Sequence, residues 1–257
     1  MKLNEISKNT KSKINQPIVI AGPCTIESYD VMDESAKALK GLGVEYIRGG
    51  AFKPRTSPYS FQGLGKEGID ILKEIKNKYK LKIVSEIMDA RDIDYAIDIV
   101  DVIQVGSRNM YNYTLLKELG KTKNTILLKR GLSATIEEWL NSAEYIAVEG
   151  NNDIILCERG IRTFETYTRN TLDLSCIPAV KEKTSLRVII DPSHSTGIRS
   201  MINPMSMASI AAGADGVIIE MHPNPDSAIC DGAQSVDIKE FEKIYKNITN
   251  LYKFINQ

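Results

Sequence analysis

No stretch of this 257-residue sequence approaches the ~18 consecutive apolar residues of a bilayer span, and no apolar segment follows a basic N-terminus. Neither a membrane helix nor an export signal is expected, and the cytoplasm is the expected compartment. Net charge is also missing, since 33 Lys and Arg stand against 33 Asp and Glu. No global field draws the chain to nucleic acid or to an anionic membrane, so any basic site must be local. Cysteine is sparse: Cys24, Cys157, Cys176 and Cys230 lie far apart without CxxC spacing, the pattern of reduced thiols rather than of a disulfide framework. No linker or shift of composition divides the chain, which argues for one domain. A content of 42% hydrophobic and 26% charged residues excludes disorder as the main state.

What the sequence does contain is a recurrence of short runs rich in Val, Ile and Leu, at 17–23, 44–50, 82–87, 102–107, 125–130, 153–159, 187–194 and 216–222. Runs that are apolar on successive residues are expected of strands buried on both faces in a parallel sheet. Between them, Val31, Ser35, Ala38, Leu39 and Leu42 share one helical face, as do Ile69, Leu72 and Ile75, and then Ile93, Ala96, Ile97 and Val100. Further helices are expected over 114–120, 135–148, 172–183, 203–214 and from about Asp237 to Ile255. Gly43, Gly120 and Gly213 are expected to close helices with positive φ. Eight strands alternating with eight helices is the count of a single-domain α/β (β/α)8 TIM barrel over 17–257, behind a loose polar arm at 1–16. An open, doubly wound sheet is the alternative.

In a barrel the active site lies at the C-terminal ends of the strands. Those ends are unusually polar here: Gly22-Pro23-Cys24, Arg48 with Lys53 to Thr56, Glu86, Arg108, Lys129-Arg130, Glu158-Arg159, Asp191 to His194, and Glu220-Met221-His222. Arg48, Lys53, Arg55, Arg108, Lys129 and Arg159 therefore converge on one mouth and need anions between them. Arginine forks match phosphate and carboxylate oxygens, and lysines add point charge. Any one of these residues alone would read as a solvated loop charge.

A second constellation joins Cys24, His194, Glu220 and Asp231, because the first and eighth strands become neighbours when a barrel closes. A thiolate, an imidazole and two carboxylates suit a divalent Mn, Fe, Co or Zn ion. Singly, each has a structural reading: a small buried hydrophobe, a capping group, two ion-pair partners. Three other patterns compete. Gly63, Gly65 and Gly68 form a GxGxxG, but it follows a loop instead of the tight turn after a strand that dinucleotide binding requires. Glu86 and Glu220 match a glycosidase pair, although that chemistry does not call for a basic ring. Lys129 is placed where a Schiff-base lysine could stand.

The segments AGPCTIES, YIRGGAFKPRTSPYSFQGLG, KRGL, CERGIRTFE, DPSHSTG and EMHPNPDSAICDGAQS closely resemble the 3-deoxy-D-arabino-heptulosonate 7-phosphate (DAHP) synthases, in the short type I branch without a regulatory domain. The resemblance runs from about Pro17 to the end. It implies a metal-dependent, carbon–carbon bond-forming transferase that opens the shikimate pathway to the aromatic amino acids. Phosphoenolpyruvate and erythrose 4-phosphate condense, and inorganic phosphate leaves. By the same matching, Cys24, His194, Glu220 and Asp231 are the metal ligands. Arg48, Lys53 and Lys129 face the phosphoenolpyruvate carboxylate, Arg108 and Arg159 its phosphate, and Arg55 and Thr56 hold erythrose 4-phosphate. Lys53 is the first candidate proton donor and Glu86 a positioner of water.

Relatives of this branch often carry a ferredoxin-like regulatory domain or a fused chorismate mutase, and 16 residues before Pro17 make neither. Built-in feedback inhibition is therefore not expected, unless a separate regulatory partner supplies it. Family members are commonly dimers or tetramers, so the resemblance implies a homo-oligomer, and a metal-bound Cys24 thiolate would be oxidisable with Cys230 as a partner. The alternative within the same chemistry is the sister enzyme that makes 3-deoxy-D-manno-octulosonate 8-phosphate from arabinose 5-phosphate, in which the KPRTSPYS stretch resembles KANRSS instead. A catalytically silent sugar-phosphate-binding barrel is a further alternative.

Overall fold

The structure, a computed structural model, describes residues 16–55 and 57–256. Eight parallel strands close into a barrel in sequence order. They are β1 (Ile18–Gly22), β2 (Tyr46–Arg48), β3 (Lys82–Glu86), β4 (Val102–Val105), β5 (Thr125–Lys129), β6 (Ile154–Glu158), β7 (Arg187–Ile190) and β8 (Gly216–Glu220). Closure is made by β1 and β8, paired from Ile18 with Gly216 to Gly22 with Glu220, which excludes the open sheet. The outer layer consists of α1 (Tyr29–Leu42), α2 (Lys66–Tyr79), α3 (Ile93–Ala96), α4 (Tyr113–Gly120), α5 (Ile136–Ala147), α6 (Cys176–Lys183), α7 (Pro192–Thr196), α8 (Ile202–Ala211) and α9 (Ile238–Ile255).

Strand side chains alternate, and the two sets form separate cores. Ile18, Ile20, Val84, Val102, Leu127, Ile155, Cys157, Ile189 and Ile218 fill the barrel interior. Val19, Ala21, Ile47, Ile83, Ile103, Leu128, Leu156, Val188 and Ile219 belong to the larger outer cluster, against which the helices pack. Both faces are apolar, which is why the strands read as unbroken hydrophobic runs. Local signals set the helix ends. Ser28 accepts from the Val31 N–H to start α1, and Gly43, φ 78°, ends it. Thr135 and Glu138 form a reciprocal cap on α5, and Asp237 accepts from the Glu240 N–H at the start of α9. Each such cap stabilises its helix by about 1 kcal/mol.

The structure corrects three expectations. Gly120 does not turn the chain with positive φ; it is the last residue of α4, where an added Cβ would lie 2.5 Å from the Ile146 carbonyl oxygen of α5. Close helix approach, and not a left-handed turn, requires that glycine. The run at 187–194 is not strand throughout: β7 stops at Ile190, and Asp191 caps the five-residue α7, with Pro192 in its first turn. α7 thus adds a ninth α-helix among the described residues, too short to leave a hydrophobic period. The third helix is reduced to Ile93–Ala96 after a 3-10 turn at Ala90–Asp92. The GxGxxG stretch is a packing device. A Cβ on Gly63 would stand 2.2 Å from the Ala51 carbonyl oxygen, and the Gly65 N–H donates to that same oxygen at 2.9 Å. The start of α2 is thereby clamped onto the loop that carries Lys53.

Candidate active site at the barrel mouth

The parity that turns Tyr46, Val84, Val102, Leu127, Cys157, Ile189 and Ile218 toward the interior applies again two residues later, at or just past the strand ends. Those positions hold Arg48, Glu86, Gln104, Lys129, Arg159, Asp191 and Glu220. A polar layer thus caps an apolar core at the C-terminal end of the barrel. Above it opens a cavity of about 330 Å³, within the usual range for small-molecule sites. Cys24, Arg48, Lys53, Arg55, Glu86, Arg108, Lys129, Arg159, His194 and Asp231 all line it. Glu220 lies beneath, fully buried, with its Oε1 3.2 Å from His194 Nε2. Thr56 falls outside the described residues.

Opposite parity sends Arg130 and Glu158 out of the barrel. Arg130 Nη1 donates to Glu158 Oε2 at 3.2 Å and to Asp173 Oδ2 at 2.7 Å, tying down the loop after β6.

The basic residues differ in how fully they are paired. Lys129 donates to Asp191 Oδ2 at 2.5 Å. Arg48 reaches the Cys24 carbonyl at 3.4 Å and lies 3.5 Å from Glu220 Oε1 through Nη2, yet its Nη1 is buried without a partner among the described residues. Arg159 Nη1 is likewise buried and unpaired. Burial lowers the Arg159 pKa, with nearby Asp191 working the other way. Buried donors without acceptors are costly, about 1–3 kcal/mol each, so these two guanidinium groups are built to meet an anion. Glu86 shows the mirror image: Oε2 accepts from Gln104 Nε2 at 2.8 Å, while Oε1 is buried and accepts nothing from the described residues.

On the other side of the mouth, one ligand atom each from Cys24, His194, Glu220 and Asp231 lies within 4.8 Å of the others. His194 stands 2.8 Å from Asp191 Oδ2 through Nδ1. Asp191 is held well below the usual carboxylate range: burial works against its ionisation, but His194 and Lys129 more than reverse it. It is therefore an acceptor, Nδ1 carries the proton, and Nε2 presents a lone pair. Burial lowers the His194 pKa to about 4, against the pull of Asp191 and Glu220, so the ring is neutral at pH 7. Burial also disfavours the Glu220 anion, but His194, Arg48 and Lys53 together hold its pKa below the ordinary value. Lone pairs on His194 Nε2 and Glu220 Oε1 thus face each other with no proton between them, and Oε1 accepts no hydrogen bond. A cation resolves that arrangement, so these residues fit a divalent metal.

The remaining two donors carry features of their own. Asp231 has left-handed backbone, φ 55°, which a short polar side chain tolerates. Lys53 Nζ donates to Asp231 Oδ2 at 2.7 Å and touches Cys24 Sγ. Burial opposes the Asp231 charge, and Lys53 overrides it, pulling the pKa well down. Burial, followed by Glu220, pushes the Cys24 thiol well above its ordinary value, so ligation there must displace a proton. All four cysteines are free thiols.

Sequence reasoning named Asp191 among the polar strand ends without giving it a role, and missed three contributors. Gln104 was accessible through the same strand parity that places Glu86 at the mouth. Arg169 and Gln234 sit in loops without period, and only the fold brings them to the mouth.

A closed (β/α)8 barrel whose mouth sets buried guanidinium donors beside a Cys/His/Glu/Asp cluster that could hold a cation fits the class of metal-dependent enzymes acting on small anions. A model of the DAHP synthetase I family matches residues 4–257, and the chain belongs to that family. It is 49% identical to the phospho-2-dehydro-3-deoxyheptonate aldolase of Thermotoga maritima over 233 residues, 91% of this chain and 69% of that one. A 2-dehydro-3-deoxyphosphooctonate aldolase of Desulfosudis oleivorans is more distant, 30% identical over 94% of this chain and 91% of its own. The crystal structure of the Thermotoga enzyme gives a TM-score of 0.89 at 48% identity, covering 92% of this chain and 69% of that chain. A truncated form of the 3-deoxy-D-arabino-heptulosonate 7-phosphate synthase from the same organism gives 0.86 at 43% identity, covering 92% and 87%. The resemblance carried by the sequence motifs is borne out, and the eight-carbon alternative is not favoured. No helix among the described residues is long and apolar enough to cross a membrane.

Proposed function

We propose that this barrel condenses phosphoenolpyruvate with erythrose 4-phosphate and water, giving 3-deoxy-D-arabino-heptulosonate 7-phosphate and inorganic phosphate. The observation that carries this reading is one cavity lined by two arginines whose buried donors find no acceptor among the described residues, with a four-residue ligand set at its floor built around facing lone pairs. Arg48, Lys53 and Lys129 take the carboxylate end of phosphoenolpyruvate and Arg108 and Arg159 its phosphate, while Arg55 and Thr56 take the sugar phosphate. Holding two anions side by side is the largest service of the basic ring, since their repulsion opposes encounter in water.

Cys24, His194, Glu220 and Asp231 would hold a divalent ion, Mn, Fe, Co and Zn all suiting the donor set, and when bound it would supply Lewis-acid polarisation of the aldehyde. Carbon three of phosphoenolpyruvate attacks the aldehyde carbon, and the carbonyl electron pair becomes an alkoxide that Lys53 Nζ protonates. Water then adds at the electron-deficient carbon two, oriented by the unfilled acceptor Glu86 Oε1; one of its protons restores the Lys53 ammonium and the other leaves with the phosphate. The resulting tetrahedral phosphohemiketal expels phosphate by C–O cleavage. A homo-oligomeric assembly, dimer or tetramer, belongs to the same reading.

The test is phosphoenolpyruvate consumption with Mn²⁺, comparing erythrose 4-phosphate with arabinose 5-phosphate, repeated after EDTA and after metal add-back. Turnover with the four-carbon sugar, abolished by EDTA and restored by metal, is expected. Preference for arabinose 5-phosphate would transfer the chain to the eight-carbon reaction, and binding without turnover would make it a silent barrel.

A further inference from the structure

Glu220 is the most enclosed of the proposed ligands, and its two oxygens have different surroundings. Oε1 faces His194 Nε2 and takes no hydrogen bond, whereas Oε2 accepts from Gln234 Nε2 at 2.6 Å. Gln234 is buried, 4% exposed, on the short 3-10 turn Gly232–Gln234 that directly follows Asp231. Its other amide atom, Oε1, accepts from Arg169 Nη1 at 3.0 Å. Arg169 is 43% exposed at its side chain, lines the cavity, and also stands 3.9 Å from Asp231 Oδ1. Its backbone is pinned to the helix of His194: the Arg169 N–H donates to the Thr196 carbonyl, and Asn170 Nδ2 donates to the His194 carbonyl.

A primary amide has two chemically different ends, and here its neighbours leave no choice of orientation. A guanidinium only donates, so it can meet only the amide oxygen; a carboxylate only accepts, so it can meet only the amide nitrogen. Removing Arg169 leaves the amide oxygen without its donor and the amide held by one bond, which loosens its grip on Glu220. Removing Gln234 leaves Glu220 Oε2 buried without a donor and the carboxylate free to turn about its last torsion.

We propose that Gln234 is a positioning residue that fixes the Glu220 carboxylate with Oε1 aimed at the metal, and that Arg169 acts through it by locking the amide orientation. The proposal rests on the metal-site reading above. It makes the mouth and the metal floor one hydrogen-bonded unit, Arg169 to Gln234 to Glu220, so an anion that draws Arg169 toward the cavity changes the hold on a metal ligand.

Co²⁺ is the probe, because its thiolate absorption reports Cys24 and its visible bands report coordination geometry, both without turnover. Gln234→Leu is expected to weaken Co²⁺ binding about 10- to 100-fold, the range for residues that orient metal ligands, with the thiolate band retained and the visible bands shifted. Arg169→Met, at an exposed position, is expected to weaken binding several-fold. The double variant should be no weaker than Gln234→Leu alone, because Arg169 hydrogen-bonds the amide and at 3.9 Å from Asp231 Oδ1 makes no hydrogen bond to that ligand. Wild-type affinity in Gln234→Leu, or additive losses in the double variant, would overturn the proposal. If Gln234→Leu does not fold, Arg169→Met with wild-type affinity and unshifted bands overturns it equally. Failure of the wild-type protein to bind Co²⁺ through a thiolate would overturn the metal-site reading itself, and the positioning role with it.

Discussion

Replacing Gly106 with alanine should separate activity from stability. Gly106 has φ −67° and ψ 157°, open to any L residue, so alanine brings no backbone strain. Its Cβ, however, would lie 2.1 Å from Glu86 Oε1 and 2.9 Å from Cδ, where ordinary contact begins at 3.4 Å. The carboxylate must retreat by roughly 1 Å. What moves is the end of a flexible side chain, so the fold absorbs the clash. Weakening the Gln104 bond to Glu86 costs about 1 kcal/mol, and the reduced freedom of the unfolded chain returns ~0.4–1 kcal/mol. Net stability should therefore be nearly unchanged, with the melting midpoint within about 3 °C of wild type. For the reaction, a misplacement of about 1 Å corresponds to a ~100-fold loss, or about 2.7 kcal/mol of barrier. The assay is kcat for phosphoenolpyruvate consumption under saturating Mn²⁺, beside a thermal melt. A Gly106→Ala protein that melts normally and keeps kcat within about twofold of wild type would refute the role of Glu86 in orienting water.

Arg159→Met removes a buried, unpaired donor and should lower kcat/KM for phosphoenolpyruvate about 10- to 100-fold, with the erythrose 4-phosphate KM changing less. Equal effects on both substrates would misassign the residue. Cys24→Ala should lose the thiolate-to-cobalt absorption and weaken Co²⁺ more than about 100-fold, and retention of that band would remove Cys24 from the ligand set. In metal-stripped protein, His194 titrates near pH 4 when folded and near 6.5 when unfolded, so its unfolded form takes the proton first. Its contribution is complete above pH 6.5 and is lost as pH falls. Urea unfolding at pH 8 and pH 5 should differ by about 2 kcal/mol from this group, a difference that His194→Gln should lack.

The barrel was legible in the sequence because both strand faces are buried, which makes each strand an uninterrupted apolar run. The alternation of those runs with helical periods left only closure to be decided. Legibility failed where length or period failed: α7 is five residues, α3 four, and Gly120 serves a contact with α5 that lies far outside any local pattern. The separation of Lys129 from Arg130, and of Arg159 from Glu158, follows from strand parity. Asp191 follows from it as well, two residues past Ile189.

The residue types that carry the chemistry, and their place at strand ends, were set by the sequence alone. A period of two and a run of motifs are local properties, and local properties survive in one dimension. Three things were decided only by the tertiary structure. Cys24 and Asp231 come into hydrogen-bond contact across 207 positions of chain because β8 closes on β1. Arg48 and Arg159 are left with unpaired donors because the barrel buries them while no side chain among the described residues hydrogen-bonds Nη1. Arg169 meets Gln234, and Gln234 meets Glu220, because two loops fold over the same mouth. Each is a matter of which groups are desolvated together, and that depends on packing in three dimensions.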